Sequence, residues 1–143
     1  MRKSTRRAVL ALSAVTAVAG SVFVGSPAMA APYPIAACGG GSYHVMKGPG
    51  STHAFKVNGR TVATAYLLYN GKTNCLVTWK AKPSKAYVAA GIMKQGDKKY
   101  KWDAGNFSTY AGPVKRSAHR ACIAWAAWYG NQVFYTKNWV HCG

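Results

Sequence analysis

The chain has 143 residues, 19 Lys and Arg, and only two acids, Asp97 and Asp103, giving a formal net charge of +17. With no Glu at all, a two-carboxylate glycosidase lacks its parts, and calcium or two-metal sites lack the several oxygen ligands they need. The length suits one domain rather than two.

Residues 1–30 read as a cleaved signal peptide. Residues 1–7 are a basic n-region, residues 8–24 are apolar and uncharged, and Ala28-Met29-Ala30 has the small-residue form of a cleavage site. A membrane anchor is the competing reading, but Gly20, Gly25 and Pro27 interrupt the run before it reaches the ~20 residues a spanning helix requires. No stable membrane anchor is therefore expected after cleavage. Arg6-Arg7 leaves both the general secretory and the twin-arginine routes open. Removing these residues takes four basic groups with it and leaves 113 residues at a net charge of +13. A surface so dominated by one sign attracts polyanions. For an exported protein those are teichoic acids, anionic headgroups, acidic polysaccharide or extracellular nucleic acid.

Residues 31–52 form an N-terminal arm rich in Gly and Pro, with Pro32, Pro34, Gly39-Gly40-Gly41 and Gly48-Pro49-Gly50. Residues 53–143 read as a single β-domain. A strand from His53 runs into Asn58-Gly59, a strong hairpin signal, and residues 61–69 return as the next strand. Asn70-Gly71 turns the chain into a third strand, residues 75–79, and Pro83 comes where a central ladder could not hold it. Residues 85–94 form the fourth strand and residues 95–98 a tight turn. Residues 99–103 and 107–110 supply one or two more, broken at Ala104-Gly105-Asn106. Gly112-Pro113 is expected to turn the chain again. A helix competes over residues 114–127, but Ile123, Trp125 and Tyr129 alternate with small residues, so residues 122–129 and 132–140 read as a closing hairpin. The fold class is all-β: a small, disulfide-braced antiparallel β-sandwich or partly closed barrel.

Export makes two disulfides the default for Cys38, Cys75, Cys122 and Cys142. Four cysteines allow three pairings. The closing hairpin favours Cys122–Cys142, which leaves Cys38–Cys75 to tie the arm to the third strand. Metal ligation competes, because His119 and His141 lie near Cys122 and Cys142, but paired C-x-x-C spacing is missing. No metal or cofactor is expected.

Three blocks resemble the spore-associated protein A family of exported actinobacterial proteins. They are Ala63-Thr64-Ala65-Tyr66-Leu67-Leu68-Tyr69-Asn70 with Asn74-Cys75-Leu76-Val77-Thr78, then Tyr110-Ala111-Gly112-Pro113-Val114, and the terminal His141-Cys142-Gly143. Cys38 soon after Pro32-Tyr33-Pro34, and Cys122 followed by Trp125, also resemble its cysteine framework. The resemblance implies a small secreted protein at the spore or aerial-hypha surface. It brings no catalytic mechanism, so no active residues are carried over.

The remaining candidates are chemical. His44, His53, His119 and His141 with many lysines leave a ribonuclease-like acid–base pair conceivable without a carboxylate. A Ser–His–Asp arrangement would need Ser42, Ser51, Ser84, Ser108 or Ser117 and one of the two Asp, and no G-x-S-x-G elbow is present. Lys80, Lys82, Lys85, Lys94, Lys98, Lys99 and Lys101 form the candidate polyanion-binding patch. Within it Tyr100 and Trp102 share one strand face, opposite Lys99 and Lys101. Burial is the commoner use of such alternation; a stacking platform for bases or sugars is the alternative. The expected function is that of a non-enzymatic secreted protein holding an anionic cell-wall or spore-surface polymer. A cationic toxin or ribonuclease-like enzyme on nucleic acid is the runner-up.

Overall fold

The computed structural model describes residues 33–143, so the expected leader, residues 1–30, lies outside the described residues. Nine strands and one short helix occur in this order: α1 Tyr33–Ala37, β1 His44–Val45, β2 Thr52–Val57, β3 Arg60–Tyr69, β4 Thr73–Lys80, β5 Val88–Lys94, β6 Lys101–Gly105, β7 Tyr110–Ser117, β8 Ile123–Tyr129 and β9 Gln132–Tyr135. They build two antiparallel sheets. In the first, β1 and β2 pair with the same edge of β3, and β4 and β7 lie beyond it; in the second the order is β6-β5-β8-β9. Neither sheet closes on itself, so the expected β-sandwich is the architecture found.

Local chemistry explains the hairpins. Asn58 and Gly59 join β2 to β3 with φ of 49° and 76°, the positive values that a two-residue type I′ turn demands. Between β3 and β4, the Asn70 side-chain oxygen accepts the backbone N–H of Lys72 and of Thr73, an Asx-type substitute for a backbone turn.

The strand alternation then divides the apolar residues into two cores. Ala63, Ala65 and Leu67 of β3 face the second sheet and pack with Leu76, Ile92 and Trp125. Trp125 is fully buried, and its Nε1 donates to the Gly50 carbonyl at 2.6 Å. Thr78, also buried, donates its hydroxyl to the Ala89 carbonyl at 2.8 Å, so the polar group between the sheets is paired. On the other face of the first sheet, Leu68, Cys75 and Val77 pack beneath Cys38 and Tyr43 of the Gly-rich segment, with Ile35 and Ala37 of α1 beside them. The disulfides are Cys38–Cys75 and Cys122–Cys142.

Three local expectations are corrected. Gly112-Pro113 lies inside β7 rather than at a turn, beside a register shift opposite Leu76 and Thr78. A bulge admits proline into a strand because one ladder donor is dispensable there. The strand expected over residues 99–103 is β6, which continues through Ala104 and Gly105. The closing strand stops at Tyr135, and pairing resumes only at Val140, which exchanges two backbone bonds with Ile123.

Candidate functional site

The seven lysines of the expected patch do not form one surface. Lys80 is removed from it altogether. It is 2% exposed, and its Nζ donates to the carbonyls of Ser84, Ala86 and Phe107 at 2.9, 2.6 and 2.5 Å. These carbonyls lie in the two connections that cross between the sheets, β4 to β5 and β6 to β7. Burial pushes the Lys80 ammonium below the usual lysine range. Its task is to fasten the crossovers, and a ligand cannot reach it.

Lys82 and Lys85 are exposed just before β5 begins, whereas Lys94 ends that strand. Seven residues of strand place the two groups on the order of 20 Å apart. Lys82 borders a shallow groove with Arg60 and Tyr129, and the Lys85 carbonyl accepts the Asn106 side-chain amide at 2.8 Å.

The denser group is at the far end of β5. Lys98, Lys99 and Lys101 line an open groove of about 400 Å³ with Asp97, Tyr100 and Arg116, and Lys94 closes the turn. The β5–β6 turn is built by Asp97 itself. Its Oδ2 accepts the Lys94 backbone N–H at 2.9 Å, and its backbone N–H donates to the Lys94 carbonyl. Arg116 of β7 meets the same carboxylate through two nitrogens, with Nε donating to Oδ2 at 2.8 Å. This fork joins the two sheets. The Arg116 bond, then the Lys94 backbone bond, hold the Asp97 carboxyl down to about 2. Asp97 is thereby already paired. Lys98, Lys99 and Lys101 are exposed and Lys94 half-buried, and none of the four has a carboxylate of its own among the described residues. Arg116 is not among the sequence candidates. It lies 19 residues from Asp97, and only the packing of β7 against the turn brings it in. With two acids in the chain, the demand each makes for a cation is the signal that could have found it.

Among the described residues the catalytic candidates form neither a bonded histidine pair nor a Ser–His–Asp triad. Asp103 accepts the Gly112 N–H at 2.7 Å, across to β7. His53 stacks on Phe134 at 4.1 Å with Phe55 edge-on, and burial pushes its imidazole down. His141 Nε2 lies 3.2 Å from the Ser51 hydroxyl; burial lowers this histidine too, against a raising bond at Gly50. Ser51 is itself buried, and neither Asp reaches this pair. His44 and His119 are exposed. Among the described residues no hydrogen bond or ring contact joins two histidines, and no cluster of three or more metal-ligating side chains occurs.

Tyr100 and Trp102 also differ from the expected inward placement. They lie on the outer face of the second sheet, with Trp102 42% exposed. The inward positions of β6 belong to Lys101 and Asp103, opposite Ile92 and Ala90 of β5.

No protein-family model matches the chain, and no solved structure does. The chain is 32% identical over 123 residues to spore-associated protein A of Streptomyces coelicolor, a match covering 84% of this chain and 78% of that protein. Similarity of that extent over 84% of a chain carrying all three sequence blocks makes this protein a member of the spore-associated protein A family.

Proposed function

We propose that this protein is exported and non-enzymatic, and that it resides at the spore or cell surface by holding an anionic wall polymer against Lys94, Lys98, Lys99 and Lys101. The observation that carries the reading is the charge arrangement at the β5–β6 turn. The only carboxylate there is taken by Arg116 and by the Lys94 backbone, so the lysines remain for an external anion. The groove is open and shallow, which suits a repeating polymer bound through many weak point charges rather than one tightly enclosed group. The relative's name, spore-associated, supports the location. The commitment of both carboxylates to internal bonds, which leaves no histidine paired with one, supports a binding role over acid–base catalysis.

The test is retention of the mature protein on isolated spore walls at low salt. One portion is treated with nuclease and another extracted to remove teichoic acid. The expected result is retention that survives nuclease and drops on extraction. Loss with nuclease would instead favour nucleic acid as the polyanion; hydrolysis of labelled RNA, lost in His119→Ala or His141→Ala, would favour the ribonuclease-like alternative.

A further inference from the structure

The outer face of the second sheet has an unusual composition. Its floor is small: Ala89 and Gly91 on β5, Ala124 and Ala126 on β8, all buried. The pairing sets Trp102 opposite Gly91 and Gly91 opposite Ala126, which in turn faces Tyr135; the neighbouring row runs Ala104, Ala89, Trp128, Val133. Large rings, Trp102 and Tyr135 on the two edge strands and Trp128 on β8, therefore stand over a floor of alanine and glycine. Gly91 shows how close this is. A Cβ at that position would lie 2.4–2.6 Å from three atoms of the Trp102 indole, so glycine is required by the ring and not by the backbone.

The rings are continuous. Tyr100 lies 5.4 Å from Trp102, Trp102 6.2 Å from Trp128, and Trp128 5.8 Å from Tyr87. Trp102 and Trp128 meet nearly edge to face, at 64°. Between them Tyr87, Ala89, Trp102, Ala104 and Trp128 enclose a cleft of about 390 Å³, within the range of small-ligand sites. Trp102 and Tyr135 remain 42% and 46% exposed, so the rings cover the floor without being covered themselves. The Trp128 indole N–H, shielded from water, has no acceptor. Buried donors are nearly always paired, so this one is an exception, and being shielded it offers nothing to a ligand in the cleft.

The cleft lining contains no charged side chain. The lining itself offers a stacked nucleotide's phosphate no cation; the lysines lie beyond Tyr100, along the sheet. A pyranose instead presents a face of C–H groups, slightly positive, to the negative face of an aromatic ring. Its hydroxyls point outward around the rim, where they meet water. Successive rings are turned by 40–64° from one another, so they wall a cleft around a sugar residue rather than forming a flat platform. We infer that the Trp102–Trp128 cleft is a stacking site for a pyranose residue of a neutral glycan. It adjoins the lysine cluster through Tyr100, but its own lining carries no charge, so its binding is expected to persist where the electrostatic contact is screened.

The experiment is a titration of the full mature protein with cellohexaose and with chitohexaose in about 1 M salt, where the Debye length is ~3 Å. Binding is followed by tryptophan fluorescence and by co-sedimentation with cellulose and chitin. Saturable binding is expected. Trp102→Ala is expected to weaken it roughly two- to tenfold, the scale of one lost ring stack. Because Trp102 also covers Gly91, Ala104→Arg is the second variant: Ala104 is exposed on the edge strand, so the fold is kept, as thermal melts would check, while the cleft is filled. It should abolish glycan binding. Neutralising Lys98, Lys99 and Lys101 should leave it unchanged, so failure here is distinct from failure of the electrostatic reading. Absence of binding to both hexaoses and both polymers overturns the inference. So does binding of a single-stranded oligothymidylate that Ala104→Arg strengthens, because the cleft would then serve bases and phosphates.

Discussion

The two sheets solve the same problem differently. Each has an inner face buried in the shared core and an outer face that period-two alternation supplies with side chains. The first sheet carries Leu68, Cys75 and Val77 outward, and a separate layer, α1 and the Gly-rich segment, lies over them. The second sheet carries Ala89, Gly91, Ala124 and Ala126 outward and, among the described residues, has no further layer; rings on its own strands shade the floor. A covering layer made of irregular, glycine-rich chain has little cohesion of its own, and the Cys38–Cys75 bridge fixes it to β4. The other bridge, Cys122–Cys142, ties the C-terminal tail to the start of β8 and holds no separate layer over the alanine and glycine floor. The two outer faces thus divide the labour: one is structural, while the other is available for contact.

Removing the bridge from the covered sheet is the most damaging way to break this comparison. Replacing Cys38 and Cys75 with Ala should lower stability by about 3–4 kcal/mol, the scale for a closed loop of this length. It should also raise exposure of the cluster under α1, read as increased dye binding and faster hydrogen exchange in β3 and β4. The open sheet should be slow to respond. Uniform loss of protection in both sheets would show that the covering layer supports the whole molecule.

Lys80 tests the seam between the sheets. Lys80→Met keeps the stem but leaves the Ser84, Ala86 and Phe107 carbonyls without their shared donor. Denaturant melts should show a loss of about 1–3 kcal/mol, the penalty of unpaired buried acceptors. Polymer binding at equal folded concentration should not change. A binding defect without a stability defect would return Lys80 to the ligand surface.

A smaller effect is expected at the opposite seam, where His53 of β2 stacks on Phe134 of β9. Burial holds the His53 imidazole below its ordinary value, so the unfolded chain takes up the proton first. Its contribution is present above the ordinary histidine range and is lost as pH falls from about 7 to about 5. His53→Phe should retain the stack and flatten that part of the stability–pH curve. His141, lowered by burial as well, should preserve a residual slope of the same sign. An unchanged curve would mean that His53 titrates as it does in the unfolded chain.

Much of the framework is legible in the sequence where local chemistry decides it. Asn58-Gly59 and Asn70-Gly71 fix two hairpins because backbone sign and Asx bonding need no distant partner. Gly112-Pro113 misleads, since a turn-forming pair and a bulge inside a strand look alike until the register opposite Leu76 and Thr78 is known. Alternation places Tyr100 and Trp102 on one face, yet which face is covered depends on whether another layer lies outside. The lysines are the least legible group. A run of Lys in sequence carries no information about which ammonium meets three carbonyls across two crossovers and which faces water. Arg116 enters the basic cluster only through strand packing and so leaves no local trace.

The electrostatic claim is tested most directly with a polyanion that has no sugar ring, which removes the aromatic face from the measurement. Beads carrying poly(glycerol phosphate) would be titrated with the mature protein and with the Lys98→Gln, Lys99→Gln, Lys101→Gln triple variant, from about 0.05 M to about 1 M salt. The Debye length shrinks from beyond ~10 Å to ~3 Å over that range. The native protein should bind at low salt and lose most of its affinity at high salt. The triple variant should bind more weakly with a shallower salt dependence, at unchanged melting temperature because exposed substitutions cost within about 0.5 kcal/mol. Equal affinity and equal salt dependence for the two proteins would contradict the account, because the lysine cluster at the β5–β6 turn would then be incidental to binding.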